Sequence, residues 1–304
     1  MVDFKGLETF VWVVALGSFR KAAQKLNTTQ PAISHRITQL ESEFGAKLLT
    51  RESRNVSPTA RGRQLLPYAE RIIAMRAEML SALRDPAEIR GVIRLGVAET
   101  IVQTWLPDFI KEVNRAYPHL SIEIEVDISP SLRARLMAQE IDVAFLLGPL
   151  TAPHLRNRLL CEYPIGFIAS PALKVPNPAS VRDLARFPLI TFARKTQPYE
   201  AVKSLFQRPD LPEIILHASA SMATVVHLAL EGMGIAVMPH EPVEEEIRSG
   251  RLELIETGIT LPQLTFCASW LEAPDLVAVD MVVALAARIA ANRSASPLAV
   301  ATRV

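Results

Sequence analysis

The sequence has few of the features that define secreted, membrane-spanning or redox-active proteins. Its only cysteines are Cys161 and Cys267, too few for a disulfide framework. They could form a redox-sensing pair, but we favour the interpretation that both are small buried residues in strands. The longest strongly apolar run, residues 276–287, is interrupted by Asp280 and is too short to span a bilayer. No secretory signal pattern opens the chain, so we expect a soluble, cytoplasmic protein with no membrane partner.

Motifs of catalysis are also missing. The sequence has no Gly-x-Ser-x-Gly elbow, no glycine-rich phosphate loop and no Cys-x-x-Cys pair. His227 with Glu231, and His240 with the acidic run 244–246, resemble metal ligands only superficially. A half-buried histidine and a solvated acidic face explain them better, because metal sites need ligands that converge from several elements. We therefore predict neither enzyme activity nor a metal or cofactor.

What the sequence does contain is enough apolar material for more than one core. Its 304 residues are 49% hydrophobic, which suggests two or three domains. The charge is uneven along the chain. Residues 1–62 contain nine basic and five acidic side chains, a net charge of +4, whereas the remainder has a net charge of −3. A basic N-terminal region on a slightly acidic body is a modest electrostatic signature of nucleic-acid binding.

Residues 18–44 form the most informative segment, because they predict two short amphipathic helices joined by a tight polar turn. The first helix has an apolar face at Phe19, Ala22, Ala23 and Leu26. Thr29 can cap the second helix with its hydroxyl, and Pro31 falls in the first turn, where its missing N–H has no cost. The second helix buries Ile33, Ile37, Leu40 and Phe44, and its remaining polar and basic residues lie mostly near its N-terminal end.

A helix with an apolar back and short polar groups near its N-terminus suits the major groove of DNA. The alternative is a helical hairpin inside a larger core. A third helix, residues 7–16, completes a miniature core, and residues 47–51 and 55–58 predict a β-hairpin wing. Arg51 and Arg54 lie near the tip of this wing, where they could contact phosphates or a minor groove.

Residues 59–83 predict one long helix with a single apolar seam. The seam residues are spaced alternately three and four apart: Leu65, Tyr68, Ile72, Met75, Met79 and Ala82. Such a seam needs a partner, either a second copy of the chain or the body of the protein itself. Pro67 should kink the helix near its start, because a proline removes a hydrogen bond. The charged, proline-bearing segment 85–88 ends the helix as a hinge.

Beyond Gly91, strands and helices alternate. Predicted strands at 92–97, 120–126 and 143–147 enclose helices at 105–116 and 132–138, and a similar series runs from 163 to about 255. A strand at 264–269 and a helix at 276–291 close the chain, followed by a loose tail from Asn292. Repeated βα units indicate parallel sheets covered on both faces. Two such units describe a two-lobed α/β clamshell with a ligand cleft between the lobes.

Short hydroxyl or acidic side chains follow three of these strands, at the ends where ligands bind in α/β folds. An aromatic residue and a cation, Phe192 and Arg194, follow a fourth strand. These residues could bind a small carboxylate, although each hydroxyl could equally be only a helix cap. Glu99 argues against a simple anion pocket: it could point away from the site, or the effector could carry an amine. The complete predicted effector site is Glu99, Thr100, Ser129, Ser131, Phe192, Arg194, Ser219, Ser221 and Met222.

The segment from Leu7 to Gly62 resembles the winged helix-turn-helix of LysR-type transcriptional regulators. The matching residues run in order without a gap and include Ala22-Ala23, the stretch from Thr29 to Ser34, Leu40-Glu41, Leu48-Leu49 and the stretch from Thr59 to Gly62. His35, followed by Arg36, departs from the arginine that the family often has after the recognition-helix serine. The DNA-binding residues that follow from the motif are Thr29, Gln30, Pro31, Ser34, His35, Arg36, Arg51 and Arg54.

The resemblance extends more loosely over nearly all of the chain and implies an α/β architecture of three parts. These are a DNA-binding domain (1–60), a linker helix that dimerises (61–88), and an effector-binding domain (89–304) resembling periplasmic binding proteins. Its first lobe comprises about 91–162 and 266–292, and its second lobe about 163–265.

The implied partners are double-stranded promoter DNA, a small-molecule effector, further copies of the chain in a homodimer or homotetramer, and RNA polymerase. The rival interpretation is a two-lobed binding protein or cytoplasmic enzyme whose N-terminal helices serve only for oligomerisation.

Overall fold

The computed structural model describes residues 3–51, 56–83, 89–152, 155–272 and 277–294. The chain separates into two compact units. One comprises Met1–Ile89 with Glu272–Asp280, and the other Arg90–Leu271 with Met281–Val304. The predicted hinge at 85–88 and the tip of the wing at 52–55 lie outside the described residues, as does the tail beyond Ser294.

The first unit contains four helices and one hairpin. The helices are α1 (Phe4–Leu16), α2 (Phe19–Lys25), α3 (Gln30–Phe44) and α4 (Ala60–Leu83), and the strands are β1 (Leu49–Arg51) and β2 (Val56–Pro58). The strands pair antiparallel, with Leu49 opposite Pro58. This confirms the predicted winged helix-turn-helix. Helix α1 begins earlier than the predicted Leu7, because Asp3 caps it by accepting a hydrogen bond from the Lys5 N–H.

The apolar stripes of the first three helices meet in one core. Phe10 and Ile33 are fully buried, and Ile37 and Leu40 nearly so. The prediction that Phe44 continues this stripe is wrong, since its side chain is 43% exposed. Phe44 is the last residue of α3, and Gly45 follows it in the left-handed cap conformation (φ +61°), so the helix ends where the core ends. The buried face of α3 turns instead through Leu40 to Glu41.

Helix α4 is anchored on the same core by one face. Ala69 and Ile73 are buried there, and the helix continues through Pro67 without ending. Gly62, in the first turn, packs directly on the wing. A Cβ atom at this position would lie 2.1 Å from the carbonyl oxygen of Leu48, so no larger residue fits without separating helix and hairpin.

The second unit alternates strands and helices, as predicted. The strands are β3 (Gly91–Val97), β4 (Leu120–Val126), β5 (Val143–Leu147), β6 (Leu155–Tyr163), β7 (Ile165–Ala169), β8 (Leu189–Phe192), β9 (Leu216–Ser219), β10 (Ile235–Pro239), β11 (Glu253–Ile255) and β12 (Leu264–Leu271). The helices are α5 (Glu99–Val102), α6 (Leu106–Ala116), α7 (Ser129–Met137), α8 (Val181–Leu184), α9 (Gln197–Phe206), α10 (Met222–Leu230), α11 (Glu244–Arg248) and α12 (Val277–Ser294). Short 3₁₀ turns lie at Pro171–Leu173 and Glu241–Val243.

Two five-stranded sheets organise this unit, and we call each sheet with its helices a lobe. The first lobe has the strand order β4-β3-β5-β12-β6, and the second β11-β7-β10-β8-β9. The chain passes to the second sheet between β6 and β7 and returns between β11 and β12. The prediction of parallel sheets is right for only some strand pairs: β3 pairs parallel with β4 and β5, and β8 pairs parallel with β9 and β10. β12 runs antiparallel to β5 and β6, and β7 runs antiparallel to β10 and β11, because these strands join the lobes directly rather than through a helix.

Both faces of the second sheet are covered. Along β7, Phe167 and Ala169 belong to one apolar cluster and Ile168 to another, and β10 alternates in the same way. In the first lobe, Leu132 of α7 packs on one face, while Trp105, Phe109 and Phe145 form an aromatic cluster. Burial on both faces explains why central strands such as β5, β7 and β10 are almost continuously apolar, whereas the edge strand β4 alternates apolar and polar residues.

Two predicted helix bounds differ from the structure. Helix α7 begins at Ser129 rather than Leu132, since Pro130 is acceptable in a first turn. Helix α12 continues to Ser294, past the predicted start of the tail at Asn292. None of the helices within the described ranges is long and apolar enough to cross a membrane.

Candidate nucleic-acid interface and ligand cleft

The N-terminal end of α3 presents the predicted base-reading residues. Thr29 caps the helix, its hydroxyl oxygen accepting a hydrogen bond from the Ala32 N–H at 3.4 Å, and Pro31 lies in the first turn. The six side chains of this end that the motif assigns to DNA are at least partly accessible: Thr29, Gln30, Pro31 and His35 are exposed, and Ser34 and Arg36 are half-buried. The buried stripe on the opposite face therefore fixes α3 with its polar end outward.

Glu41 joins this helix to the wing, although sequence reasoning gave it no role of its own. Its carboxylate accepts hydrogen bonds from the N–H groups of Leu48 (2.9 Å) and Leu49 (3.3 Å) and from Lys47 Nζ (2.7 Å). Burial alone would raise the pKa of Glu41, but these hydrogen bonds outweigh it and the pKa lies below its ordinary value. The available signal was an acidic residue one turn beyond Ile37 on the buried face of α3.

The base of the wing is tied together by Thr50 and Ser57. The Thr50 hydroxyl lies 2.7 Å from the Ser57 hydroxyl and donates to the Ser57 carbonyl oxygen at 3.0 Å. Arg51 is the last residue of β1, and only its backbone is described. The Arg51 side chain and the whole of Arg54 lie outside the described residues, so their contacts with DNA stay predictions.

In the second unit, a cavity lies between the two lobes. It has a volume of about 40 Å³. Five of the nine residues predicted for the effector site line it: Glu99, Thr100, Ser129, Phe192 and Met222. These five residues come together because the carboxyl ends of β3, β4 and β8 meet at the cleft. Their role in binding an effector stays a prediction.

Glu99 bridges the two lobes at this cavity. Its Oε1 accepts a hydrogen bond from the Ser221 hydroxyl at 3.2 Å and another from the Ala223 N–H at 3.3 Å. Ser221 is the N-cap of α10 and also accepts from the Thr224 N–H at 3.3 Å. Glu99 therefore points into the cleft, toward the N-terminus of a helix in the opposite lobe.

The other predicted effector residues do not line the cavity. Arg194 is exposed to solvent, Ser219 hydrogen-bonds the backbone of Ser221, and the Ser131 hydroxyl donates to Asp127. Without Arg194, the predicted counter-charge for a carboxylate is missing from this cavity.

Sequence reasoning also missed several lining residues. Asp127 follows β4 and accepts from the Ile128 N–H at 2.7 Å, and Thr196 and Phe266 complete the wall. Asp127 could have been found from its position directly after a strand. Phe266 could not, because it enters the cleft from the strand β12 that returns from the second lobe.

A buried carboxyl group lies in the 3₁₀ turn that follows β10. Oε2 of Glu241 is buried and no described residue donates a hydrogen bond to it. Burial raises the pKa of Glu241 to about 7. Burial also lowers the pKa of the adjacent His240, whose Nε2 lies 3.8 Å from Glu241 Oε1.

Both cysteines are buried in neighbouring strands, as the favoured interpretation predicted. Cys161 is 4% exposed in β6 and Cys267 is 3% exposed in β12, and both are free thiols. Burial raises the pKa of Cys161 to about 11 and raises the pKa of Cys267 as well. Neither thiol has the lowered pKa of a reactive cysteine. Within the described ranges, no group of three or more His, Cys, Asp or Glu side chains could hold a metal ion.

Comparisons with known proteins agree with this architecture. The family described as bacterial regulatory helix-turn-helix protein, lysR family, matches residues 4–63, and the LysR substrate binding domain matches residues 86–291. A similar curated protein is the HTH-type transcriptional regulator BbuR of Bordetella bronchiseptica. It is 28% identical over 254 residues, which span 83% of this chain and 78% of BbuR.

Two full-length solved structures have the same fold at low sequence identity. LysG from Corynebacterium glutamicum, described with bound effector Arg, has a TM-score of 0.60 and 17% identity over 96% of this chain and 99% of LysG. CbnR complexed with its target DNA has a TM-score of 0.51 and 20% identity over 95% of this chain and all of CbnR.

A winged helix-turn-helix followed by a two-lobed ligand domain defines a ligand-responsive, DNA-binding regulator of transcription. The chain belongs to the LysR family of bacterial transcriptional regulators. It is a LysR-type regulator with an effector-binding domain.

Proposed function

We propose that the chain regulates transcription by inserting α3 into the major groove of promoter DNA. Gln30, Ser34 and His35 approach base edges, whereas Arg36, Arg51 and Arg54 contact phosphates or the minor groove. The observation that carries this proposal is the seating of α3. Its apolar stripe is buried in the core while its N-terminal polar residues remain accessible. The structural relative CbnR is described in complex with its target DNA, which supports DNA binding by a chain of this fold.

The working protein is a homodimer, or a homotetramer built from two dimers, joined through α4. On this helix Tyr68, Ile72, Met75 and Met79 are 42–66% exposed and lie on one face, which we call the α4 seam. Ala69 and Ile73, on the neighbouring face, are already packed in the core of the winged helix-turn-helix and anchor α4 to it. A second copy of the same helix offers a matching apolar surface.

The cavity between the lobes is the effector site. Glu99, Thr100, Ser129, Phe192 and Met222 line it, and Ser221 caps the helix that faces it. An effector that binds one spacing of the lobes better than another shifts the population of that state, and with it the arrangement of the DNA-binding heads. The bound effector named for the structural relative LysG supports a site of this kind.

The domain limits of this proposal are 1–60, 61–88 and 89–304, with lobes at about 91–162 with 266–292 and at about 163–265. The protein acts by binding rather than by catalysis, in the cytoplasm, and contacts RNA polymerase at the promoter. The rival, a ligand-binding protein or enzyme with helices for oligomerisation only, predicts no affinity for DNA.

A gel-shift titration of the full chain on its own promoter DNA, at low and at higher salt, tests the proposal. Phosphate contacts make the affinity of a regulator fall steeply as salt rises. Gln30→Ala should change the preference between operator and random DNA, whereas Arg51→Ala should weaken both equally. Absence of a shifted band at low salt would remove the DNA-binding function, and equal losses for both variants would remove the division of roles.

A further inference from the structure

The charges around the interlobe cavity all have one sign. Among the described residues that line it, Glu99 and Asp127 are the only charged side chains, and no lysine, arginine or histidine joins them. The rest of the wall is largely apolar, with Phe192 and Phe266 supplying aromatic rings. A cavity with two carboxylates and aromatic walls is a favourable environment for a cation.

One position in this cleft that would suit an anion, the N-terminus of α10, is already filled. A carboxylate or phosphate binds at a helix N-terminus because unpaired N–H groups and the helix dipole face it there. In α10, the Ala223 N–H donates to Glu99 and the Thr224 N–H donates to the capping Ser221. Glu99 also accepts from the Ser221 hydroxyl. The protein thus supplies its own carboxylate to this helix, from the opposite lobe.

One oxygen of Glu99 remains available. Its Oε1 takes both hydrogen bonds, and Oε2 has no partner among the residues that the structure describes. A ligand carboxylate entering this space would meet two like charges and no counter-charge, whereas an ammonium or guanidinium group would neutralise them.

We propose that Glu99 permanently occupies the anion-binding position at the N-terminus of α10, so that the cleft selects a small organic cation, an ammonium or guanidinium with an apolar body, rather than a carboxylate. The cationic group lies between Glu99 and Asp127, and the apolar body contacts Phe192 and Phe266. This inference rests on the proposed function of the cleft as the effector site. Of the two effector classes that the sequence left open, it favours the amine over the carboxylate.

Three probes with one carbon skeleton test the charge preference: n-butylamine, n-butanol and butyrate. Binding to the full chain is measured by isothermal titration calorimetry at constant ionic strength. We expect n-butylamine to bind at least about tenfold more tightly than butyrate, since reversing the ligand charge reverses the sign of the interaction with Glu99 and Asp127.

Two variants at position 99 separate charge from occupancy. Glu99→Gln keeps an acceptor for Ser221 and Ala223 but removes one of the two charges, so n-butylamine should bind about tenfold more weakly. Butyrate should gain less than in Glu99→Ala, because the repulsion falls but the N-terminus of α10 stays filled. Glu99→Ala empties the N-terminus of α10, so butyrate should gain at least about tenfold while n-butylamine weakens. Glu123→Gln removes the same charge from an exposed position in β4 and should change neither affinity.

Three results would overturn the inference: tighter binding of butyrate than n-butylamine to the unaltered protein, an unchanged preference in Glu99→Ala, or no binding of the amine. Circular dichroism and operator binding in a gel shift verify that each variant is folded. Binding of n-butanol or butyrate alone would leave the cleft as a ligand site and overturn only its charge preference. Loss of the proposed function would instead appear as a failure of the unaltered chain to bind DNA.

Discussion

The carboxylate of Glu41 accepts a hydrogen bond from the backbone N–H of Leu48, and this contact joins the recognition helix to the wing. The same oxygen also accepts from Leu49, so one side chain satisfies two buried backbone groups at the start of β1. The Lys47 ammonium group on the second oxygen is 78% exposed and adds little stability in water. The backbone contacts are therefore the important part of this junction.

Glu41→Ala should loosen the wing, because it leaves the N–H groups of Leu48 and Leu49 buried without a partner. An unsatisfied buried donor costs about 2 kcal/mol, which corresponds to roughly 30-fold faster amide exchange. Hydrogen–deuterium exchange of the peptide containing residues 47–51 measures this in the full chain. Glu41→Gln keeps the acceptor and is the matched control. Equal exchange in both variants would show that charge, not backbone capping, is what matters.

Acid should weaken the same junction. The pKa of Glu41 is lower in the folded protein than in the unfolded chain, so its contribution to stability is present above the unfolded pKa and is lost as the pH falls through the folded value. Exchange of the 47–51 peptide, corrected for the intrinsic pH dependence, should therefore accelerate at acidic pH. A pH-independent corrected rate would contradict the assignment.

We expect one charged substitution in the α4 seam to dissociate the proposed dimer. Met75→Glu or Met79→Glu would bury an unpaired carboxylate between apolar helices, which costs several kcal/mol and should weaken dimerisation at least about 100-fold. Sedimentation equilibrium gives the dissociation constant. Met75→Leu and Met79→Leu preserve the apolar surface and should leave it within a few-fold. If the glutamate variants stay dimeric, the copies meet through another surface.

The buried carboxyl group of Glu241 should make the folded protein less stable as the pH rises. Its pKa is raised by burial to about 7, so the protonated form favours folding, and this contribution is lost as the pH rises from about 4.5 to about 7. Glu241→Gln should be more stable than the unaltered protein at pH 8 by about 1–3 kcal/mol, and equal to it at pH 4.

Urea unfolding of the full chain at both pH values measures this difference. His240 titrates nearby in the opposite sense, since its lowered pKa removes stability as the pH falls, but it is common to both proteins. Glu245→Gln removes a charge from an exposed side chain and is the control. A Glu241→Gln advantage that does not change between the two pH values would contradict the raised pKa.

The two cysteines should be inert in the folded protein. Both side chains are nearly fully buried and burial raises the pKa of each thiol, so the reactive thiolate is scarce and inaccessible. An aromatic disulfide reagent should label the native chain at least about 100-fold more slowly than the urea-unfolded chain, in which both thiols react. Rapid labelling of the native protein would restore the redox-pair interpretation.

Local patterns in the sequence predicted much of this molecule. The stripe of Ile33, Ile37 and Leu40 follows from the helical period alone, and the Thr29 cap depends on residues only three apart. The seam of α4 is equally local. These features need no knowledge of the rest of the fold, so the winged helix-turn-helix and the long helix were recognisable from the residues themselves.

Features that depend on distant parts of the chain were not predictable. Glu99 and Ser221 are 122 residues apart in sequence, so nothing local indicated that one would face the other. Strand β12 pairs antiparallel with β5, although the whole second lobe separates the two strands in sequence. Arg194 followed a strand like the other candidates, yet it is exposed to solvent, because position in a loop does not fix where a side chain points.

The contact of Gly62 with Leu48 means that the wing and the start of α4 have no space to slide past each other. This contact and the burial of Ala69 and Ile73 make the winged helix-turn-helix and α4 a single rigid body. In a dimer paired along α4, the distance between the N-terminal ends of the two α3 helices is then fixed by the geometry of the paired α4 helices. Operators with a different half-site spacing would have to deform to fit it.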